Sequence, residues 1–175
     1  MDPPEERLES AAELLESAEL TLAENEQVLA SLAELSPLFE NRRTYFVLGN
    51  YDREPIRRLA LVADRLNRRT DAYAFRMVDV RGEWDNSIQK FCLVADLVSY
   101  LVGVAEREPS GFLVEQGLFV GTEEYFPKSY VLKREYDDDA FDWMQQGVFE
   151  LLESEGRLYT WETEEELAEA VERLP

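Results

Sequence analysis

Histidine is absent from this chain of 175 residues, and cysteine occurs once. Without histidine there is no Ser-His-Asp or Cys-His nucleophile system, no imidazole metal site and no kinase-type HRD loop. Cys92 alone can form neither an intrachain disulfide nor a cysteine zinc site. Within the apolar run Phe91-Cys92-Leu93-Val94 it reads as a buried, inert thiol. Lysine is also scarce, with 3 against 15 arginines. No run approaches 18 apolar residues, so no membrane span is predicted. The opening Met-Asp-Pro-Pro, followed by an acidic helical pattern, does not read as a signal peptide. A cytoplasmic protein with no cofactor and no metal is expected.

Acid is what the chain has in abundance: 38 Asp and Glu against 18 bases, a net charge of −20. A hydrophobic fraction of 45% is nevertheless that of a well-cored globular protein. An acidic, lysine-poor surface suits a salt-rich cytoplasm, where screening removes the mutual repulsion of the carboxylates. A halophilic archaeal origin is the expectation. Against such a background two neighbouring carboxylates mean little, and only a carboxylate in a specific structural position is informative.

The charge is unevenly spread. Residues 1–40 carry 1 base and 11 acids, residues 41–81 carry 10 and 5, and residues 137–175 carry 2 and 13. The arginine-rich block can face nucleic acid, nucleotide phosphates or the protein's own acidic ends. Long-range repulsion by so negative a whole opposes a duplex nucleic acid partner.

Residues 1–40 read as an acidic helical segment and residues 41–175 as an α/β domain. Leu8, Leu15, Leu22 and Leu29 recur every seven residues, with Ala11, Ala18, Asn25 and Leu32 three positions later, the pattern of a coiled-coil seam. Residues 5–36 thus join two chains as a homodimer, pack on their own domain, or break into a helical hairpin near Asn25. Pro37 closes the segment.

Beyond it, strand and helix signals alternate. Thr44 to Gly49 is a strand apolar on both faces, and Asp52 is placed to cap a helix running to about Arg68. Ala72 to Val80 is a second strand. A helix from Asp85 or Asn86 turns Ile88, Phe91, Ala95 and Val98 inward. Tyr100 to Ala105 is a third strand, and Ser110 caps a helix carrying Glu115. Ser129 to Leu132 follows, then a helix opening at Asp137 to Asp139 and ending at Gly156. Arg157 to Trp161 is the fifth strand, and Thr163 with Glu166 forms a capping box for the last helix. Right-handed crossovers make this a doubly wound parallel sheet of flavodoxin-like order 2-1-3-4-5.

In that order the crevice opens between the carboxyl ends of the first and third strands. Gly49, Asn50, Tyr51 and Asp52 follow the first strand. Glu106 to Gly111 follows the third, with Glu115 one turn into its helix, and Asp79 and Arg81 end the second strand close by. Gly49 admits close backbone approach, and Asn50 and Asp52 can hydrogen-bond sugar hydroxyls. Arg53, Arg57 or Arg81 can hold phosphate. Each residue also has a plainer reading: Gly49-Asn50 as a turn, Asp52 as a cap, Glu115 as a solvated helix residue, and Gly117 as a point of close helix packing.

The succession strand, Gly49-Asn50-Tyr51-Asp52, helix, strand, helix, then Tyr100 to Glu106 and Gly111-Phe-Leu-Val-Glu115-Gln-Gly117, resembles the nucleoside 2-deoxyribosyltransferase superfamily. It also looks like the TIR-like nucleotide-binding domains, and the similarity covers roughly Thr44 to Leu132. The resemblance implies a nucleoside, nucleotide or NAD ligand and cleavage or transfer at its N-glycosidic bond, with Glu115 as nucleophile or oxocarbenium stabiliser. Glu106 stands where the transferases carry an Asp-rich loop. An ionised carboxylate suits such a transition state, and no histidine is needed if an acid or water protonates the departing base. The competing reading is a non-catalytic nucleotide- or protein-binding module, in defence or regulation, that oligomerises through its N-terminal helix.

Overall fold

The computed structural model describes residues 36–80, 87–107, 112–138 and 141–175, with the backbone alone for residues 112–115. The heptad seam of residues 5–36 falls, but for Ser36, outside these residues, as do Arg81, Ser110, Gly111 and the side chain of Glu115.

A short helix α1 (Pro37–Glu40) leads into strand β1 (Arg43–Gly49) and helix α2 (Pro55–Leu66). Strand β2 (Ala72–Arg76), helix α3 (Ser87–Leu97), strand β3 (Tyr100–Ala105) and helix α4 (Phe112–Gly121) follow. Strand β4 (Ser129–Arg134), helix α5 (Trp143–Ser154), strand β5 (Leu158–Trp161) and helix α6 (Glu164–Glu172) complete the order. The sheet runs β2-β1-β3-β4-β5 with every pairing parallel, as the alternation of strand and helix predicts. Among the described residues no helix is long and apolar enough to cross a membrane.

Alternate side chains of β1 feed two cores. Phe46 and Leu48 pack with Leu38, Phe91, Phe119 and Phe149 from α1, α3, α4 and α5. Tyr45 and Val47 pack on the other face with Leu59 and Val62 of α2 and Leu167 and Val171 of α6. A parallel strand covered on both faces must be apolar throughout, and residues 44–49 are fully or almost fully buried.

Three arginines of the basic block reach the last helix or the residues after it. Arg58 and Arg65 of α2 lie 3.8 Å from Glu164 and 3.5 Å from Glu172. Arg69 donates to the carbonyls of Val171 (2.7 Å), Leu174 (3.0 Å) and Pro175 (2.9 Å), at and beyond the end of the last helix. The protein's own acidic end thus engages Arg58 and Arg65 of that block through carboxylates.

Several boundaries differ from expectation for local reasons. Strand β2 stops at Arg76 rather than Val80 because Asp79 folds back. Its carboxylate accepts from the Arg76 backbone N–H (2.9 Å) and from the guanidinium (2.9 and 2.8 Å), closing a 3-10 turn over Met77–Asp79. Partial burial works to raise the Asp79 carboxyl, but those hydrogen bonds and the Arg76 charge hold it below the usual carboxylate range. Asp52 does not cap α2 through its side chain; its carbonyl accepts from Ile56 N–H (3.0 Å), and Glu54 holds the N-cap position. Helix α5 opens at Asp142, not at Asp137 to Asp139, because Asp142 accepts from the N–H groups of Met144 and Gln145 while Gln145 reaches back to the Asp142 N–H. Ile88, in the first turn of α3, is 51% exposed rather than inward. Cys92 is half-buried against the first core.

Gly49 is set by packing. A Cβ there would lie 2.8 Å from Leu59 Cδ2 and 2.9 Å from the Val104 carbonyl oxygen. Leu59 can rotate, but the β3 backbone cannot yield without disturbing the ladder. Gly49→Ala is accordingly expected to cost about 1–2 kcal/mol, read as a lower urea midpoint. An unchanged midpoint would show that the sheet absorbs the methyl group.

Candidate functional site

Strands β1 and β3 are in register from Tyr45↔Tyr100 to Gly49↔Val104, so their carboxyl ends emerge side by side. The chain leaves β1 for α2 on one face and β3 for α4 on the other, which opens the edge between them. A cleft of about 500 Å³ lies at this edge. Asp52, Arg53, Glu54, Pro55 and Arg58 line it from the loop after β1 and the first turns of α2; Glu106 and Arg107 do so from the end of β3, and Arg134 and Tyr136 from the end of β4. Four arginines thus face three carboxylates, in a chain whose net charge is −20. The locality is set apart from the rest of the protein.

Glu106 is the centre of the cleft floor. Its side chain is 6% exposed, and its carboxylate meets Arg58 Nε at 2.9 Å and Arg134 Nη1 at 3.2 Å. One carboxylate therefore ties α2, β3 and β4 together. The backbone N–H of Arg107 donates to the Tyr136 hydroxyl (3.1 Å). The guanidiniums of Arg107 and Arg134 lie 4.7 and 5.3 Å from the centre of the Tyr136 ring, cation–π distances. Arg107 also pairs with Asp138. These contacts fasten the loops after β3 and β4 to each other and leave an aromatic ring at the mouth.

The residues expected at the site divide into groups. Asp52, Arg53 and Glu106 line the cleft. Asn50 is buried behind its rim, 6% exposed, with Oδ1 accepting from Asp52 N–H (2.9 Å). Glu115 sits in the first turns of α4, the helix that follows β3. Four others are placed elsewhere. The space beside Gly49 is filled by Leu59 and Val104, so no ligand approaches through it. The Tyr51 hydroxyl donates to the Val47 carbonyl (3.4 Å) and accepts from Met77 N–H (3.3 Å), which ties it to the end of β2. Asp79 is engaged by Arg76. Arg57 faces a separate surface hollow with Asp64, Arg65 and Arg68. A Cβ on Gly117 would meet nothing within 4 Å, so among the described residues helix packing does not require that glycine.

Arg58, Arg134 and Tyr136 were not anticipated, and Arg107 only as part of the loop Glu106 to Gly111. Arg134 and Tyr136 follow from the strand order alone, since β4 lies beside β3 and its carboxyl end must reach the same edge. Arg58 stands three residues after Pro55, on the first turn of the helix that leaves the crevice. Among the described residues, no group of three or more cysteine or acidic side chains could hold a metal ion.

Residues 3–142 match the model of a family of unknown function (DUF8170). The chain belongs to that family. All the residues lining the cleft fall within the matched span, whereas α5, β5 and α6 lie beyond it. No curated protein and no solved structure matches the chain.

Proposed function

We propose that the protein binds a nucleoside, nucleotide or NAD in the cleft between the carboxyl ends of β1 and β3, and acts on its N-glycosidic bond through Glu115. The observation that carries the reading is the cleft itself: arginine-lined, at the strand-order reversal of a doubly wound sheet, where such folds hold ligands. Arg53, Arg107 and Arg134 supply guanidinium groups for a phosphate, and Tyr136 supplies a flat face for a base or sugar. The placement of Glu115 on the helix after β3 is what the resemblance to nucleoside 2-deoxyribosyltransferases and TIR-like domains calls for.

One observation favours a second reading, in which the domain binds without cleaving. Arg58 and Arg134 are already engaged by Glu106, and Arg107 by Asp138, so the cleft is stable as an ion-pair network before any ligand arrives.

Incubation in molar KCl with a panel of nucleosides, nucleotides and NAD separates the two. Calorimetry reads binding, and chromatography reads released base or nicotinamide. Binding with release is the expected result. Binding without release from any member of the panel would make the chain a non-catalytic module, and no binding at all would overturn both readings.

A further inference from the structure

Two buried amides near the crevice lack partners. Gln116 is 2% exposed, and neither its Nε2 nor its Oε1 has a hydrogen-bond partner; the Asn50 Nδ2 lacks one as well. Buried polar atoms are nearly always satisfied, so each orphan calls for a partner, an internal water or a ligand.

Placement indicates which partner. Asn50 is the first residue beyond β1, and Gln116 lies in the second turn of the helix after β3. The two strands end side by side, at Gly49↔Val104, and α4 packs on both of them. Both amides therefore sit on segments that flank the switch point, buried rather than among the residues that line the arginine-rich cleft. The Oδ1 of Asn50 is held by Asp52 N–H, itself on a cleft residue, so the amide plane is fixed and Nδ2 is its free corner. Gln116 keeps a donor and an acceptor free in one plane, the complement of a planar group that carries an acceptor and a donor side by side. Nucleobase edges have that pattern, and a glutamine amide reads them with two parallel hydrogen bonds.

We infer that Gln116 is the base-reading residue of the cleft, pairing with the edge of a nucleobase or nicotinamide carboxamide, while Asn50 Nδ2 donates to the same ligand. This deepens the function proposed above and rests on it. The phosphate end of the ligand meets the arginines, and the base end reaches the buried amides. An inorganic anion would pair only with the Nε2 donor of Gln116 and leave its Oε1 acceptor unsatisfied.

The test is Gln116→Met, which keeps the volume and removes both orphan atoms. Binding in molar KCl is measured by calorimetry for AMP, GMP, CMP, UMP, NAD and ribose 5-phosphate. The tightest-binding nucleotide should lose about tenfold or more in affinity, and ribose 5-phosphate should bind as before, which also shows that the variant is folded. The melting temperature of the free variant should rise by about 2–4 °C, because the unsatisfied amide is gone. Unchanged nucleotide affinity would overturn the inference while leaving the proposed function standing, and so would an equal loss for ribose 5-phosphate. A fall in melting temperature would do the same, by showing that an internal water satisfies the amide. A wild-type protein that binds none of the six would overturn the proposed function and this inference with it.

Discussion

Glu106→Gln is expected to destabilise the protein by about 2–4 kcal/mol. The substitution is nearly isosteric, so the loss comes from charge. Glu106 is 6% exposed and neutralises Arg58, itself only 11% exposed, through a contact of 2.9 Å. Removing the carboxylate leaves a buried guanidinium with only the half-exposed Glu164 at 3.8 Å to offset it, which costs more than the intact pair contributes. The Arg134 arm adds less, because its side chain is 33% exposed and solvent screens it. Two features distinguish this account from a simple packing defect. Adding Arg58→Gln to the variant should cost less than its effect on the wild type, since the charge it removes has already lost its close, buried partner. Inorganic phosphate should restore part of the lost stability, because the freed guanidiniums then bind an anion that the unfolded chain does not. Urea unfolding at fixed salt measures all three quantities. A midpoint equal to the wild type would show that the network contributes nothing.

The sheet was largely legible in the sequence, and the reason is visible in its third strand. Tyr100–Ala105 is apolar at every position, stands between Ser99 and Glu106, and forms with the expected bounds. The capping box of α6 was equally readable, because Thr163 and Glu166 satisfy each other's neighbouring backbone N–H groups without help from the rest of the fold. Gly156, with φ of +67°, ends the preceding helix as a left-handed residue should. Local competition defeated the other boundaries. Four aspartates between residues 137 and 142 can each cap a helix, and Asp142 takes the role because Gln145 stands three residues on to close the box. Strand β2 reads as continuing through Val80 until Asp79 is allowed to turn back on Arg76.

The site was half legible. Asp52 and Glu106 follow strands whose ends define the crevice, so topology alone brought them there. Arg58, Arg107 and Arg134 were hidden by abundance: periodicity says which face an arginine occupies, not which carboxylate across the sheet it meets. Gln116 carried a faint signal, as a polar residue on the buried side of a helix otherwise rich in Phe, Leu and Val. Only its lack of partners gives that signal meaning.

On the function proposed above, Glu115→Gln is expected to lower N-glycosidic cleavage roughly a thousandfold, a loss of about 4 kcal/mol in transition-state stabilisation. Departure of a base leaves positive charge on the ring oxygen and anomeric carbon, and an anionic carboxylate either stabilises that charge or forms a bond to the carbon. Glutamine keeps the shape but carries no charge and is no nucleophile, so the chemical step suffers while the ground state is little changed. Ligand affinity should therefore stay within about threefold of wild type, because the proposed binding mode assigns the phosphate and base contacts to the arginines and the buried amides rather than to Glu115. The split between rate and affinity is what identifies Glu115 as a catalytic residue. Loss of affinity in step with rate would make it a binding group. Equal release of base by both proteins would remove it from the mechanism and direct attention to Glu106, the buried carboxylate that lines the cleft. Chromatography of released base, beside calorimetry on the same two proteins in molar KCl, decides among these outcomes.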